Sequence, residues 1–310
     1  MDLKHLRALV TVAETGNVTR ASTLLNIVQP AVSRQLRLLE EDMGVMLFER
    51  RRLGMELTDA GKSLVEYARR ILNEVDRAKA EIRPTSGVIS GIVTIGLLPS
   101  TCELLASALV TAVAEKYAAI RVRISVGYAG HLVNWLETGE VDAALLYDQK
   151  DTPALQVKPL LEENLWVVGP STAKLRPGKP VSLGQVAQRR LILPNAPHGL
   201  RALVEQAAAL ANVELQIAVE TNDMSVQKSL VIGGHGWTIL PIIAVANDVA
   251  RGELSAAPLT DPAVQRKIVL AASTNRQPTP PVRCVVATLL ECMKQAVAQK
   301  RWRAARWLAD

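Results

Sequence analysis

Aromatic side chains are scarce in this chain: they make up 3% of 310 residues, and Phe48 is the only phenylalanine. Its cores must therefore be built mainly from Ala, Leu, Val and Ile. Cysteine is scarce as well. Three residues, an odd number without paired spacing, argue against a disulfide framework and for a reducing compartment. Cys284 and Cys292 stand eight apart on one expected helix, about 12 Å of rise, too far to pair. No charged-then-apolar leader opens the chain, and no apolar run is long enough to span a bilayer, so a cytoplasmic location is expected. No zinc spacing, Ser/His/Asp order or converging pair of carboxylates occurs, so no metal, cofactor or catalytic centre is expected. Gly233–Gly234–His235–Gly236 lacks the Lys–Ser/Thr ending and the strand–loop–helix order of a phosphate loop, and reads as a turn before the strand Trp237–Pro241. Acidic residues are missing altogether between Thr15 and Leu39.

What fills that acid-free stretch organises the chain. The length suits two or three domains, 49% of residues are hydrophobic, and the net charge of +6 is compatible with a polyanionic partner. Val18, Ala21, Leu24 and Leu25 follow a helical period, break at Asn26 and Ile27, and the period restarts at Val32, Leu36 and Leu39: two helices meet at a tight turn. Gln29, Pro30, Ser33, Arg34 and Arg37 share the polar side of the second helix. Arg and Gln can read base edges in a major groove and Ser33 can donate to phosphate; the plain alternative is a solvated basic face. Pro30 is tolerated in a first turn. Leu3 to Thr15 reads as a first helix, with Leu6, Leu9, Val10 and Ala13 inward, and Gly44 stops the last helix of the trio. Leu47–Phe48 and Met55–Leu57 then form a small hairpin turning at Gly54, a wing whose Arg50, Arg51 and Arg52 can touch the sugar-phosphate backbone. Thr58 caps the next helix, along which Leu64, Ala68, Ile71, Val75, Ala78 and Ile82 step by four and three. That seam asks for a partner helix, or else packs along its own domain. Pro84, Ser86 and Gly87 break the chain just after it.

In order and spacing, Thr19–Leu25 (TRASTLL), Gln29–Glu40 (QPAVSRQLRLLE), Leu47–Arg52 (LFERRR) and Leu57–Leu64 (LTDAGKSL) resemble the N-terminal region of LysR-type transcriptional regulators. The resemblance implies DNA contacts by Thr19, Arg20, Gln29, Pro30, Ser33, Arg34, Arg37, Arg50, Arg51 and Arg52. It has departures. Val28 stands where the family usually has a Ser or Thr that caps the recognition helix, Leu9 and Val18 stand at common Phe positions, and Leu53 replaces a commonly basic wing residue.

From Ser90 short apolar strands alternate with helices, which points to parallel sheets with covered faces in two α/β lobes. Expected strands are Gly91–Leu98, Arg121–Tyr128, Val141–Tyr147, Leu165–Pro170, Arg189–Asn195, Glu214–Glu220, Trp237–Pro241 and Lys267–Ser273, with a last helix from Pro281 toward Ala298. Here the resemblance extends more loosely and implies a periplasmic-binding-protein-like effector domain, crossed between lobes near Glu162–Trp166 and Asp261–Lys267. The expected organisation is an α+β winged helix-turn-helix domain at 1–58, a linker and dimerisation helix with hinge at 59–89, and a two-lobed α/β effector domain at 90–310. Lobe I would take 90–163 and 268–310, and lobe II 164–267.

Ligands of such folds sit at strand carboxyl ends and helix N-termini. Ser100, Thr101 and Cys102 follow the first strand, and in the family the corresponding loop contacts the effector; simple helix capping is the alternative. Asn195 and His198 follow a strand of the second lobe, with Arg201 in the next helix's first turn, either holding a carboxylate or lying on the surface. Thr221 and Tyr128 complete the candidate set. Cys102 at a helix N-terminus is expected to have a lowered pKa, which motivates an oxidant-sensing alternative. The tail Gln299–Asp310 interleaves Trp302 and Trp307 with Lys300, Arg301, Arg303 and Arg306. It either contacts DNA or a neighbouring subunit, or packs as a partly helical tail on its own domain. The sequence reading is thus a transcription factor without enzymatic activity, responsive to a small anionic effector, binding duplex DNA as a homo-oligomer that the resemblance makes a dimer of dimers. Two rivals remain at this point, a DNA-tethered enzyme and a constitutive regulator without a ligand.

Overall fold

The computed structural model describes the backbone of residues 1–51, 54–82 and 88–309, and their side chains except at 50, 77 and 80–82. Arg52, Leu53, Pro84, Ser86 and Gly87 and the side chains of Arg50 and Ile82 lie outside the described residues. The chain divides into two compact units, one built from Met1–Val88 with Thr138–Glu140 and the other from Ile89–Glu137 and Val141–Asp310.

The N-terminal unit holds α1 (Leu3–Thr15), α2 (Val18–Leu25), α3 (Gln29–Met43), a hairpin of β1 (Phe48–Arg51) and β2 (Gly54–Leu57), and α4 (Asp59–Ile82). Local chemistry places these boundaries. The Asp2 carboxylate accepts the Lys4 N–H at 3.1 Å, and Asn17 Oδ1 accepts the N–H groups of Thr19 and Arg20 at 2.8 and 3.1 Å. Gly16, Asn26 and Gly44 take left-handed conformations that end α1, α2 and α3. Thr58 Oγ1 accepts the Gly61 N–H at 3.0 Å, the capping role expected for it. By contrast Val28 opens α3 with no side-chain cap and is 70% exposed. We expect Val28→Thr to add the missing acceptor, stabilising this unit by about 1 kcal/mol, a rise of roughly 4–8 °C in its melting temperature. An unchanged calorimetric transition would contradict that account.

Leu6, Leu9, Val12, Ala21, Val32, Leu36, Leu39, Leu47 and Phe48 form the core of this unit, joined by Val65 and Ala68 from α4. Two expectations change. Leu24, placed on the apolar stripe of α2, is exposed, because the helix turns Ala21 inward and Leu25 flanks it. The seam of α4 also divides: Leu64, Ala68 and Ile71 pack on this unit's own core, whereas Val75 and Ala78 do not belong to it. Only the first half of the seven-residue pattern is thus used within this unit.

The C-terminal unit contains β3 (Gly91–Leu97), α5 (Pro99–Lys116), β4 (Ile120–Val126), α6 (Ala129–Thr138), β5 (Ala143–Tyr147) and the long β6 (Leu155–Pro170). Next come β7 (Val181–Ser182), α7 (Leu183–Ala187), β8 (Leu191–Leu193), α8 (Gly199–Leu210), β9 (Ile217–Glu220), α9 (Met224–Ile232), β10 (Thr238–Pro241) and α10 (Ala246–Ala250). It closes with β11 (Leu254–Thr260), β12 (Gln265–Ser273), α11 (Pro280–Ala298) and β13 (Ala305–Trp307). The sheet runs β4-β3-β5-β12-β6-β11-β7, with β10 and β13 also on β6.

It is mixed, which corrects the parallel expectation. β3 pairs β4 and β5 in parallel, but β12, β10, β11 and β13 all lie antiparallel to β6. The reason is that β11 and β12 follow one another with only residues 261–264 between them, so both run back along β6 without a crossover helix. β6 pairs β12 over Leu155–Asn164, then β10 and β11 over Leu165–Pro170, so a single strand belongs to both lobes. Each lobe has its own core. One gathers around Ile95, Leu105, Leu145, Leu161 and Trp302, the other around Val167, Ile192, Val204 and Ile239. The first half of β6 was not expected as a strand, because Lys158, Glu162 and Glu163 interrupt its apolar alternation. The tail is also not helical: it ends in β13, paired with β6 and packed on its own lobe. Among the described residues no helix is long and apolar enough to cross a membrane.

Candidate functional site

In the N-terminal unit, Pro30, Ser33, Arg34 and Arg37 of α3 line a hollow of about 1160 Å³, open solvent included, together with Met46 ahead of the hairpin and Phe48 and Met55 within it. Gln29 is exposed at the start of α3, and Thr19 and Arg20 are exposed at the start of α2. Arg34 is exposed and has no ion pair among the described residues. Arg37 faces Glu41 at 3.4 Å, an exposed i,i+4 pair that water and salt largely screen. Glu40, the first acid after the acid-free stretch, also reaches the hollow. Its Oε1 accepts the N–H groups of Leu47 and Phe48 at 2.8 and 3.3 Å, so this carboxylate anchors the wing to the reading helix. On the wing the expected basic flank is partly neutralised. Arg51 pairs with Glu49 of its own strand at 2.7 Å and with Glu56 of the facing strand at 3.4 Å.

In the C-terminal unit a cleft of about 420 Å³, solvent at its mouth included, opens between the lobes. Ser100, Tyr128, Tyr147, His198, Thr221 and Arg266 are among its lining residues. α5 begins here without a side-chain cap, with Pro99 in its first turn. Arg266 of β12 stands directly across from Glu163 of β6, with side chains 3% and 1% exposed, and Arg266 Nε donates to Glu163 Oε1 at 2.7 Å. Its Nη2 donates to Ser100 Oγ at 2.9 Å, and its guanidinium lies 5.2 Å from the centre of the Tyr147 ring.

Direct bonds also cross the cleft. Tyr128 Oη accepts the Met224 N–H at 3.1 Å. His198 caps α8 by accepting the Leu200 N–H on Nδ1 at 3.2 Å. The proton of the neutral ring therefore sits on Nε2, facing Tyr147 Oη at a long 3.5 Å. Burial, and secondarily the charge of Arg266, hold His198 below its usual pKa, while burial raises both phenols. The wall is thus neutral and aromatic, with one guanidinium set in it. Outside the cleft Glu103 of α5 receives Lys228 Nζ at 3.2 Å and Asn247 Nδ2 at 2.9 Å from the second lobe.

Ser100, Tyr128, His198 and Thr221 lie where the sequence placed them. The other four candidates do not. Thr101 is buried and its hydroxyl donates to the Leu98 carbonyl at 2.9 Å. Cys102 donates to the same carbonyl at 3.3 Å, and burial pushes its thiol up to about 11, opposite to the lowering expected at a helix start. Arg201 serves its own lobe. It holds Glu205 and Glu220, each at 2.6 Å, and the Pro194 carbonyl at 3.1 Å, tying α8 to the ends of β8 and β9. Asn195 is exposed and absent from the lining. Sequence reasoning missed Tyr147, Met224, Gln227 and above all Arg266. Its one available signal was the pair of charges, Glu163 and Arg266, inside the two segments marked as crossings.

Gly199 marks a close approach of the lobes, since a Cβ there would collide with the Tyr147 ring. Gly199→Ala is expected to drive that ring off His198 at a cost of about 1–3 kcal/mol. This amounts to roughly 2–4 °C of melting temperature per kcal/mol in the C-terminal unit. A melt like the parent's would show that the lobes are not in register at this contact.

A winged helix-turn-helix whose reading helix opens with an acid-free arginine face, in one chain with two α/β lobes that close on a buried arginine, defines a DNA-binding protein carrying its own ligand domain. Residues 3–62 match the model of the bacterial regulatory helix-turn-helix protein, lysR family, and residues 86–294 match the LysR substrate binding domain. The HTH-type transcriptional regulator BbuR of Bordetella bronchiseptica is 32% identical over 279 residues, 90% of this chain and 85% of that protein. The nitrogen assimilation regulatory protein Nac of Klebsiella aerogenes is 28% identical over 97% of this chain and 98% of its own length. A cysteine mutant of OxyR from Corynebacterium glutamicum superposes with a TM-score of 0.62 at 25% identity, covering 97% of this chain and 94% of that one. CbnR, a LysR family transcriptional regulator, shares the fold with a TM-score of 0.72 at 22% identity over 94% and 99% of the two chains. The chain belongs to the LysR family and is a LysR-type DNA-binding transcriptional regulator with an effector-binding domain.

Proposed function

We propose that this regulator is controlled by a small anion, such as a carboxylate, bound in the cleft between Ser100, Tyr128, His198, Thr221 and Arg266. One observation carries the reading: a buried guanidinium, a serine hydroxyl and an uncapped helix start converge on one aromatic-walled space. Glu163 balances the charge of Arg266, which favours a ligand of one negative charge over a dianion. On the DNA side, Gln29, Ser33, Arg34 and Arg37 enter the major groove. Pro30 shapes the start of that helix, Thr19 and Arg20 meet phosphate at the start of α2, and Arg50, Arg51 and Arg52 reach the flanking backbone. Val75 and Ala78 extend the free half of the α4 seam toward a second copy, in a homotetramer built as a dimer of dimers. The ligand acts by favouring one arrangement of this assembly over another, in the cytoplasm and without chemical turnover.

Selection of duplexes from a random pool by the full-length protein, followed by footprinting with and without small carboxylates, tests this. The expected result is protection of two half-sites whose extent changes with one class of anion and responds less in Ser100→Ala. A footprint indifferent to every anion, with Ser100→Ala behaving as the parent, would refute control through the cleft.

A further inference from the structure

The segment after α11 touches the cleft nowhere, yet it is fastened to the cleft's charged wall. Residues 305–307 pair with 161–163 along the edge of β6, Ala305 opposite Glu163. The Asn164 N–H donates to the Ala304 carbonyl at 3.1 Å and the Leu308 N–H to the Leu160 carbonyl at 2.8 Å. Within this strap Trp302 is the largest fully buried side chain of the protein, at 1% exposure. Its indole N–H donates to Glu163 Oε2 at 2.8 Å. The other oxygen of Glu163 holds Arg266, and Arg266 holds Ser100 in the cleft. No residue of the strap lines the cleft.

We propose that Trp302 is a positioning residue for ligand recognition: through Glu163 it sets the Arg266 guanidinium that receives the anion. The inference rests on the cleft being the effector site. A buried carboxylate whose second oxygen lacks a donor turns toward whatever donor or water it can reach. The indole fixes the plane of the Glu163 carboxylate and so the direction of the guanidinium on it. Nε and Nη2 are engaged by Glu163 and Ser100. Nη1 has no protein partner among the described residues and is left to what enters the cleft. Preorganisation of this kind shows as affinity. A buried ion pair also costs desolvation that two apolar side chains would avoid, so its presence at the wall of a binding cleft fits a recognition role better than a stabilising one.

The test uses the full-length protein and formate, acetate and propionate as probes, with chloride keeping the ionic strength constant and the melting temperature followed against concentration. The parent is expected to show saturable stabilisation by at least one probe. Trp302→Phe, which removes the donor and keeps an aromatic ring, should need about tenfold more probe for half-saturation. Trp166→Phe is the control: that indole is buried in the other lobe's core, and its N–H has no hydrogen-bond partner. It should lower the melting temperature without moving the half-saturating concentration, whereas a merely structural role for Trp302 would make the two variants alike. In the parent, the indole N–H resonance of Trp302 should shift with the same half-saturation, a readout that needs no variant to fold. Parent-like half-saturation in Trp302→Phe, or an indole resonance that ignores a bound probe, overturns the relay and leaves the cleft standing. Failure of all three probes to saturate the parent overturns the carboxylate reading of the cleft and the relay with it.

Discussion

Arg266→Met is expected to destabilise the C-terminal unit by about 3–5 kcal/mol, because it strands a buried carboxylate. Glu163 and Arg266 are cross-strand partners at 1% and 3% side-chain exposure, too deep for bulk water to replace a lost guanidinium cheaply. Urea denaturation of that unit would show a midpoint shift with an unchanged slope. The complementary variant is more informative. Removing Glu163 and the donor facing it as well, in Arg266→Met/Glu163→Leu/Trp302→Phe, takes the whole polar set out of the interior. It should recover most of the stability. It should not recover anion binding or the ligand-dependent footprint. A stable protein that no longer answers to ligand is the expected signature of a charged cluster kept for recognition. A triple variant as unstable as the single one would instead assign the cluster to holding the two crossing strands together.

On the DNA side, Arg34→Ala is expected to reduce discrimination between selected and random duplexes by about 10- to 100-fold, the range of one bidentate base contact of about 1–3 kcal/mol. Its affinity for random duplex should change little. Arg34 stands on the polar side of α3 beside Ser33, free of the acidic neighbours that its helix places only at Glu40, Glu41 and Asp42. Arg51→Ala should behave differently: a small loss of affinity, equal on both duplexes, with a salt slope lowered by no more than about one. Glu49 and Glu56 already compensate Arg51 on the free wing, so part of its charge is spent before DNA arrives. Fluorescence anisotropy at several salt concentrations measures both quantities. Equal losses on specific and random DNA for both variants would remove the division between reading helix and positioning wing.

The legibility of the two sites differs for a physical reason. α1 and α2 start at the residues their caps specify, and all three helices of the trio stop at theirs. Asn17, Gly16, Asn26 and Gly44 act within a few residues of themselves, so a local reading finds them. The DNA face is one helix face, and neighbours at three and four residues define it without any tertiary information. The α4 seam left two alternatives open because the same heptad pattern suits a partner or the unit's own core, and only the packing of Leu64, Ala68 and Ile71 on that core decides its first half. In the cleft, Ser100, Tyr128, His198 and Thr221 follow strand ends, a position that topology alone predicts. Arg201 occupies the same kind of position, yet Glu205 and Glu220 claim it first.

By itself, then, the sequence determined what depends on near neighbours: the helix trio and its wing, the acid-free basic face, the family, and the strand ends that line the cleft. Tertiary structure decided what depends on distant residues sharing a buried volume. It brought Trp302 to Glu163 across 139 positions and Arg266 to Ser100 across 166. It also lowered the prospects of Cys102 as a reactive thiol by burying it. Charge in a protein interior is governed by what surrounds it in space, and no pattern along the chain carries that information.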